Sequence, residues 1–156
     1  MKAWMSAVIA LLFCGALTVS GATRIDDPVV FVRDVLQHFI DAQSRKQTYK
    51  PPEDIYTAEL SKLFRDDKKR SHGEVGCLEF VFWVNGQDWT ISKLDVSAGE
   101  PSNQSRKMVI AKFDNLGTQQ EIHFAFRKVA GRWLLDDVKS LKEPGWTLSK
   151  ILSCAP

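Results

Sequence analysis

EIHFAFRKVAGRWLLDDV, residues 121–138, decides the fold of this chain. Ile122, Phe124 and Phe126 alternate with His123, Ala125 and Arg127, the period of a strand with one face buried and the other wet. Ala130, Gly131 and Arg132 then supply a tight turn, because glycine accepts the positive φ that a short hairpin loop demands. Trp133 opens a return strand that runs into Asp136, Asp137 and Val138. An antiparallel hairpin is therefore expected, with strands at 120–129 and 132–139.

Working upstream, further strands are expected at 77–84, 88–96 and 107–114, and SAGEPSNQSRK at 97–107 is a polar loop rich in turn formers. Asn103-Gln104-Ser105 matches a glycosylation acceptor, relevant only in a eukaryotic source, and otherwise is plain loop. Before residue 77 the period changes. In DDPVVFVRDVLQHFIDAQSRKQ, Asp27 can cap, Pro28 suits the first helical position, and Phe31, Val32, Val35, Leu36, Phe39 and Ile40 recur at helical spacing. Pro51 and Pro52 break the chain. YTAELSKLFRDDKKR at 56–70 reads as a second helix with Leu60, Leu63 and Phe64 on one side and Gly73 beyond its end. The tail EPGWTLSKILSCAP adds a short helical turn anchored by Trp146 and Ile151. Helices first and an antiparallel sheet afterwards define an α+β fold, N-terminal helices packed on a curved sheet.

The first 22 residues stand apart. Lys2, an apolar run from Met5 to Val19, and Ser20 and Ala22 in a small-x-small arrangement are the layout of a secretory signal peptide cleaved after Ala22. The run is shorter than the roughly 20 residues a membrane span requires. Residues 23–156 then form a single α+β domain, large enough for one core, soluble in the periplasm and with no membrane span. Removing Lys2 takes the formal charge from +2 to +1, which leaves no electrostatic footprint for nucleic acid. RDDKKR at 65–70 mixes signs and reads as a solvated helix face. Cys14 leaves with the leader. Cys77 and Cys154 remain, and an even count in an exported chain favours one disulfide between them, the alternative being two separate buried thiols.

Two helices, then a sheet closing on a Gly131-x-Trp133-x-x-Asp136-Asp137-Val138 hairpin, resemble the nuclear-transport-factor-2-like cone fold over nearly the whole of residues 23–156. YTAEL at 56–60 and FWVNGQDW at 82–89 are similar to segments of an uncharacterised exported group within it, the domain-of-unknown-function family 3828. The resemblance implies a cone and export. It implies no single activity, since such cones host isomerases, dehydratases, ligand carriers and protein-binding modules, and function belongs to the site.

FVFWVNGQDW at 80–89 is the candidate site. Asn85-Gly86 is a strong turn former, and Gln87 and Asp88 are placed to satisfy turn backbone. In that reading Asp88→Ala removes about 1–3 kcal/mol of stability. Trp83 and Trp89 flank the turn and are expected at the mouth of the cone, where an exposed tryptophan anchors a partner. The binding set is thus Trp83, Asn85, Gln87, Asp88 and Trp89, with truncation of an exposed Trp expected to weaken binding and leave the fold intact. Lys68 and Lys69 are expected to matter far less. A catalytic version makes Asp88 a general base tuned by burial, partnered by Tyr49, Tyr56 or His123.

No catalytic set assembles by spacing. His38, His72 and His123 are scattered, with no i, i+4 pair to suggest a metal, and no nucleophile elbow, phosphate loop or dinucleotide fingerprint is present. Asp136 and Asp137, as neighbours on a strand, should point to opposite faces. No catalytic residue, cofactor or metal is therefore expected. The chain reads as a non-enzymatic periplasmic protein-binding module, in its most concrete form an immunity protein that inhibits a secreted antibacterial effector. The alternative is a small-molecule carrier or enzyme with a deep pocket inside the cone and Asp88 or His123 pointing into it. A homodimer formed through the sheet is the third reading.

Overall fold

The computed structural model describes residues 22–154. The leader expectation falls almost wholly on residues outside that range.

Helix α1 (Pro28–Ser44) starts where the cap chemistry places it. Asp27 is extended at φ −131°, its carboxylate accepts the Val29 N–H at 2.7 Å, and Pro28 opens the helix, where its missing N–H leaves no bond unmade. Its buried face carries Pro28, Val32, Val35, Leu36, Phe39 and Ala42. Helix α2 (Ala58–Arg70) is capped by Thr57, whose hydroxyl accepts from Leu60 N–H at 3.4 Å. Lys68, Lys69 and Arg70 occupy its last turn, the favourable end of the helix dipole for cations.

Five strands follow: β1 (Ile91–Gly99), β2 (Arg106–Asn115), β3 (Thr118–Val129), β4 (Arg132–Ser140) and β5 (Trp146–Thr147), with α3 (Leu148–Leu152) after them. They pair antiparallel in the order β1-β2-β3-β4-β5. This is the expected architecture, helices on an antiparallel sheet. The β3–β4 turn has Ala130 at φ 48° and Gly131 at φ 80°, two consecutive positive values that match the right-handed twist of a hairpin. Alternation holds along β3: Gln120, Ile122, Phe124 and Phe126 are buried, and the residues between them are not.

Two expectations change. Residues 77–84 form no strand, and their β-pairing is limited to an isolated bridge between Val81 and Gly86. Phe82, Trp83 and Val84 are consecutive and all buried, which a pleated strand cannot do because neighbours point to opposite faces. The segment instead curls into the core as a turn. Second, Asp136 and Asp137 do not take opposite faces. The β3–β4 register slips at this point, Ala125 facing Asp137 and Phe126 facing Leu135, so the buried positions change from Trp133 and Leu135 to Val138 and Ser140. This bulge keeps both carboxylates out of the core. The two carboxylates serve different partners. Asp136 pairs with Arg127 at 3.0 Å, while Asp137 accepts from Ser149 N–H at 3.0 Å and Ser149 Oγ at 2.6 Å, capping α3 from a neighbouring strand.

The core lies between the helices and the inner face of the sheet, α1 over β1 and β2, with α2 and α3 against β4. Val109, Ala111 and Phe113 meet Ile122, Phe124, Leu135 and Val138 there, with Trp83 inserted from the side.

Candidate functional site

The residues of 80–89 belong to the frame. Trp83 is only 2% exposed. Its ring stacks on Phe124 at 4.9 Å, lies 5.3 Å from Phe82 and meets Phe31 edge-on at 6.4 Å. It fills the interior that the pocket reading required to be open. Trp89 is half-buried, edge-on to Phe39 at 5.2 Å, and its indole N–H donates to the Phe39 carbonyl at 3.3 Å. Neither ring stands free as an anchor, which corrects the expected site. Exposed Gln87 donates to the Glu79 carbonyl at 3.2 Å.

Asn85 sits at φ 53°, a conformation asparagine tolerates better than most residues. Its Nδ2 donates to Gln120 Oε1 at 2.7 Å and its Oδ1 accepts the Trp146 indole N–H at 2.8 Å, so one amide joins the turn to β3 and to the tail. Asn115, unnoticed in the sequence, satisfies the turn backbone. It donates to the carbonyls of Val84 at 3.0 Å and Asp88 at 3.3 Å and accepts Thr90 N–H at 2.9 Å. Asp88 is exposed and enters this network through its carbonyl. The role expected of its carboxylate therefore falls to Asn115. Asp88→Ala should change stability by less than about 0.5 kcal/mol, whereas Asn115→Ala should remove about 1–3 kcal/mol by leaving buried groups unpaired. Urea unfolding of the two variants checks the order, and equal losses would contradict it.

The general-base reading loses its geometry as well. His123 lies on the outer face of β3 with its Nε2 2.7 Å from Glu121, a contact that helps hold the Glu121 carboxyl below its usual range. Tyr49 stacks on His38 at 5.1 Å. Asp88, His123 and Tyr49 do not share a cavity.

A different concavity lies between α2 and residues 71–78. It has a volume of about 590 Å³ and opens to solvent. Tyr56 and Phe64 stack at 4.9 Å and 25° to form its floor, with Leu78 and Leu152 beside them. Burial raises the pKa of the Tyr56 hydroxyl, and the Glu53 carboxylate adds to the effect, so it stays a neutral donor throughout the physiological range. Leu78 continues into a second groove of about 330 Å³ with Val75, Phe80 and Val81, and Val75 is 73% exposed.

The Cys77–Cys154 disulfide, Cα–Cα 5.6 Å, meets the expected pairing and ties the segment carrying the lining residues Gly76 and Leu78 to the tail that carries Leu152. Asp67 lies against the disulfide. Although it belongs to RDDKKR, Asp67 is buried, a correction to the solvated reading of that run. Its carboxylate accepts the Cys77 N–H at 3.0 Å and lies 3.5 Å from Arg70, and Arg70 in turn donates to the Leu152 carbonyl. Gly76 is required here, since a Cβ would come within 2.2 Å of Asp67 Oδ2. Asp67, Cys77 and Cys154 bring potential metal-ligand atoms within 4.8 Å of one another, but both sulfurs are committed to the S–S bond. Lys62 is taken up by Asp66 at 2.6 Å. Arg65, Lys68 and Lys69 have no carboxylate partner among the described residues.

Among the described residues no helix is long and apolar enough to cross a membrane. No protein-family model matches the chain, and no curated protein matches it. A solved structure, the phospholipid-binding protein from Ralstonia solanacearum in complex with a phospholipid, aligns with a TM-score of 0.34 and 14% identity. The alignment covers 80% of this chain and 59% of that one, so this chain spans less than two thirds of that protein's length. A likeness this distant carries no argument about what the chain binds.

Proposed function

We propose that this chain is an exported, non-catalytic protein-binding module on a nuclear-transport-factor-2-like cone, and that its partner docks at the cleft between α2 and residues 71–78. The observation that carries the reading is Trp83. With that ring and Phe124 stacked in the interior, docking falls to an outward-opening surface, and the cleft floored by Tyr56 and Phe64 and continued by exposed Val75 offers one with an apolar floor. An apolar floor with a polar rim is the anatomy of a protein interface. The disulfide suits an oxidising compartment such as the periplasm, and an inhibitor of a secreted effector, an immunity protein, is one form such a module takes.

The cleft volume also falls within the range of small-molecule pockets, which favours a ligand carrier as the second reading. Photoreactive benzoylphenylalanine placed in turn at Val75, at Leu78 and at Lys112 on the outer sheet face separates these readings in the source cell. Val75 and Leu78 should give a covalent adduct with another protein and Lys112 should give none. Adducts from Lys112 alone, with the mass of a second copy, would favour the sheet-mediated homodimer. No adduct at any position, together with a small molecule retained in native mass spectrometry, would replace the docking reading with the carrier.

A further inference from the structure

The charge around the cleft is unevenly satisfied. Asp67 is held by the Cys77 N–H and Arg70, and Glu53 pairs with Lys50 at 2.7 Å. Arg65 and Lys68 both line the cleft, three residues apart and so on one face of α2, and neither meets a carboxylate among the described residues. Lys68 and Lys69 have a structural reason to be basic, since they sit in the last turn of α2 and offset its dipole. Arg65 lies earlier in the helix, outside the reach of that effect. An exposed guanidinium at the rim of an aromatic floor offers a two-pronged donor for a carboxylate. Glu74 is the remaining carboxylate of the lining, beyond the end of α2, so it leaves the helix side of the cleft cationic.

We infer that the cleft takes an acidic segment of its protein partner, one large apolar or aromatic side chain seated over Tyr56, Phe64 and Leu78 with flanking carboxylates on Arg65 and Lys68. This rests on the docking reading above and names the chemistry of the partner. Two unpaired cations in the lining of the cleft suit a local acidic cluster. They are too few for the run of phosphates along a nucleic acid, which is held by many such contacts.

Titration of the uniformly labelled chain by two-dimensional NMR tests the inference. Three capped peptides serve as probes: Asp-Glu-Trp-Glu-Asp, its neutral counterpart Asn-Gln-Trp-Gln-Asn, and Asp-Glu-Ala-Glu-Asp. The first should shift amides of α2 and of residues 76–80 and bind at least about tenfold tighter than either control. Raising sodium chloride from about 50 to about 300 mM should weaken it, because exposed charges are screened. Arg65→Glu combined with Lys68→Glu, both at exposed positions, should abolish its advantage over the neutral peptide and lower the thermal melt only slightly, by the dipole contribution that Lys68 makes at the end of α2. Equal binding of the neutral or alanine peptide, or shifts confined to another face, would overturn the inference. Adducts at Leu78 without any acidic preference would sink this inference alone, whereas absence of adducts at Val75 and Leu78 would sink the docking reading itself.

Discussion

Trp83→Ala should nearly unfold the domain, with a loss of about 3–5 kcal/mol. The ring is 2% exposed and packs on Phe124, Phe82 and Phe31, so truncation removes a large buried area and leaves a cavity between rings that have little room to collapse. Because a domain has only about 5–15 kcal/mol of stability in total, most of the margin disappears. Trp83→Phe keeps an aromatic surface against Phe124 and should lose markedly less. Urea unfolding followed by circular dichroism gives both midpoints. An alanine variant with an unchanged midpoint would mean that the ring lies outside the core, as an interface anchor does, and would reopen the domain interior as a pocket.

Replacing both bridge cysteines, Cys77→Ser with Cys154→Ser, should remove about 2–5 kcal/mol. The bridge joins residues 77 positions apart, and the chain-entropy account gives about 4 kcal/mol for a loop of that length. Arg70 holds Leu152 and Asp67 holds Cys77, and without the covalent tie the tail is retained by these contacts, the Asp137–Ser149 bonds and the burial of Leu148 and Leu152. Hydrogen exchange should therefore quicken at residues 71–78 and 148–154 before it does in β2 and β3. Dithiothreitol should lower the melting temperature of the parent chain and leave that of the double variant where it is. Equal midpoints for the parent and the variant would show that α3 and Leu152 hold the tail unaided.

The elements that were legible share one property, a signal carried by near neighbours. Asp27-Pro28 and the helical spacing of Val32, Val35, Leu36 and Phe39 announce α1, and that face is buried. Alternation through Ile122, Phe124 and Phe126, with Ala130-Gly131 after it, announces the β3–β4 hairpin, and the pairing from the turn as far as Phe126 and Leu135 follows. The disulfide pairing came from a count of two.

What misled was local plausibility without its distant partner. A Trp on either side of Asn85-Gly86 looks like a surface turn, and a carboxylate next to it looks like its cap. Asn115, 27 residues further on, takes that role instead. RDDKKR looks fully solvated, yet Asp67 is buried because Cys77 and Arg70 close over it. Tyr56 and Phe64 gave no sign of being a floor, since the walls that make a cleft of them, Leu78 and Leu152, arrive from later segments.

The sequence by itself thus determined that two helices precede an antiparallel sheet, the α+β class, the faces of α1 and β3 and the cysteine pair. Periodicity, turn chemistry and residue counts act within a few positions or on the chain as a whole, and need no knowledge of which segments meet. Only the tertiary structure decided that Trp83 plugs the interior, that the β4 bulge turns two aspartates outward, and that the cleft lies beside α2. Burial is a property of a side chain's whole surroundings, and those surroundings are assembled from residues that the chain brings together only when it folds.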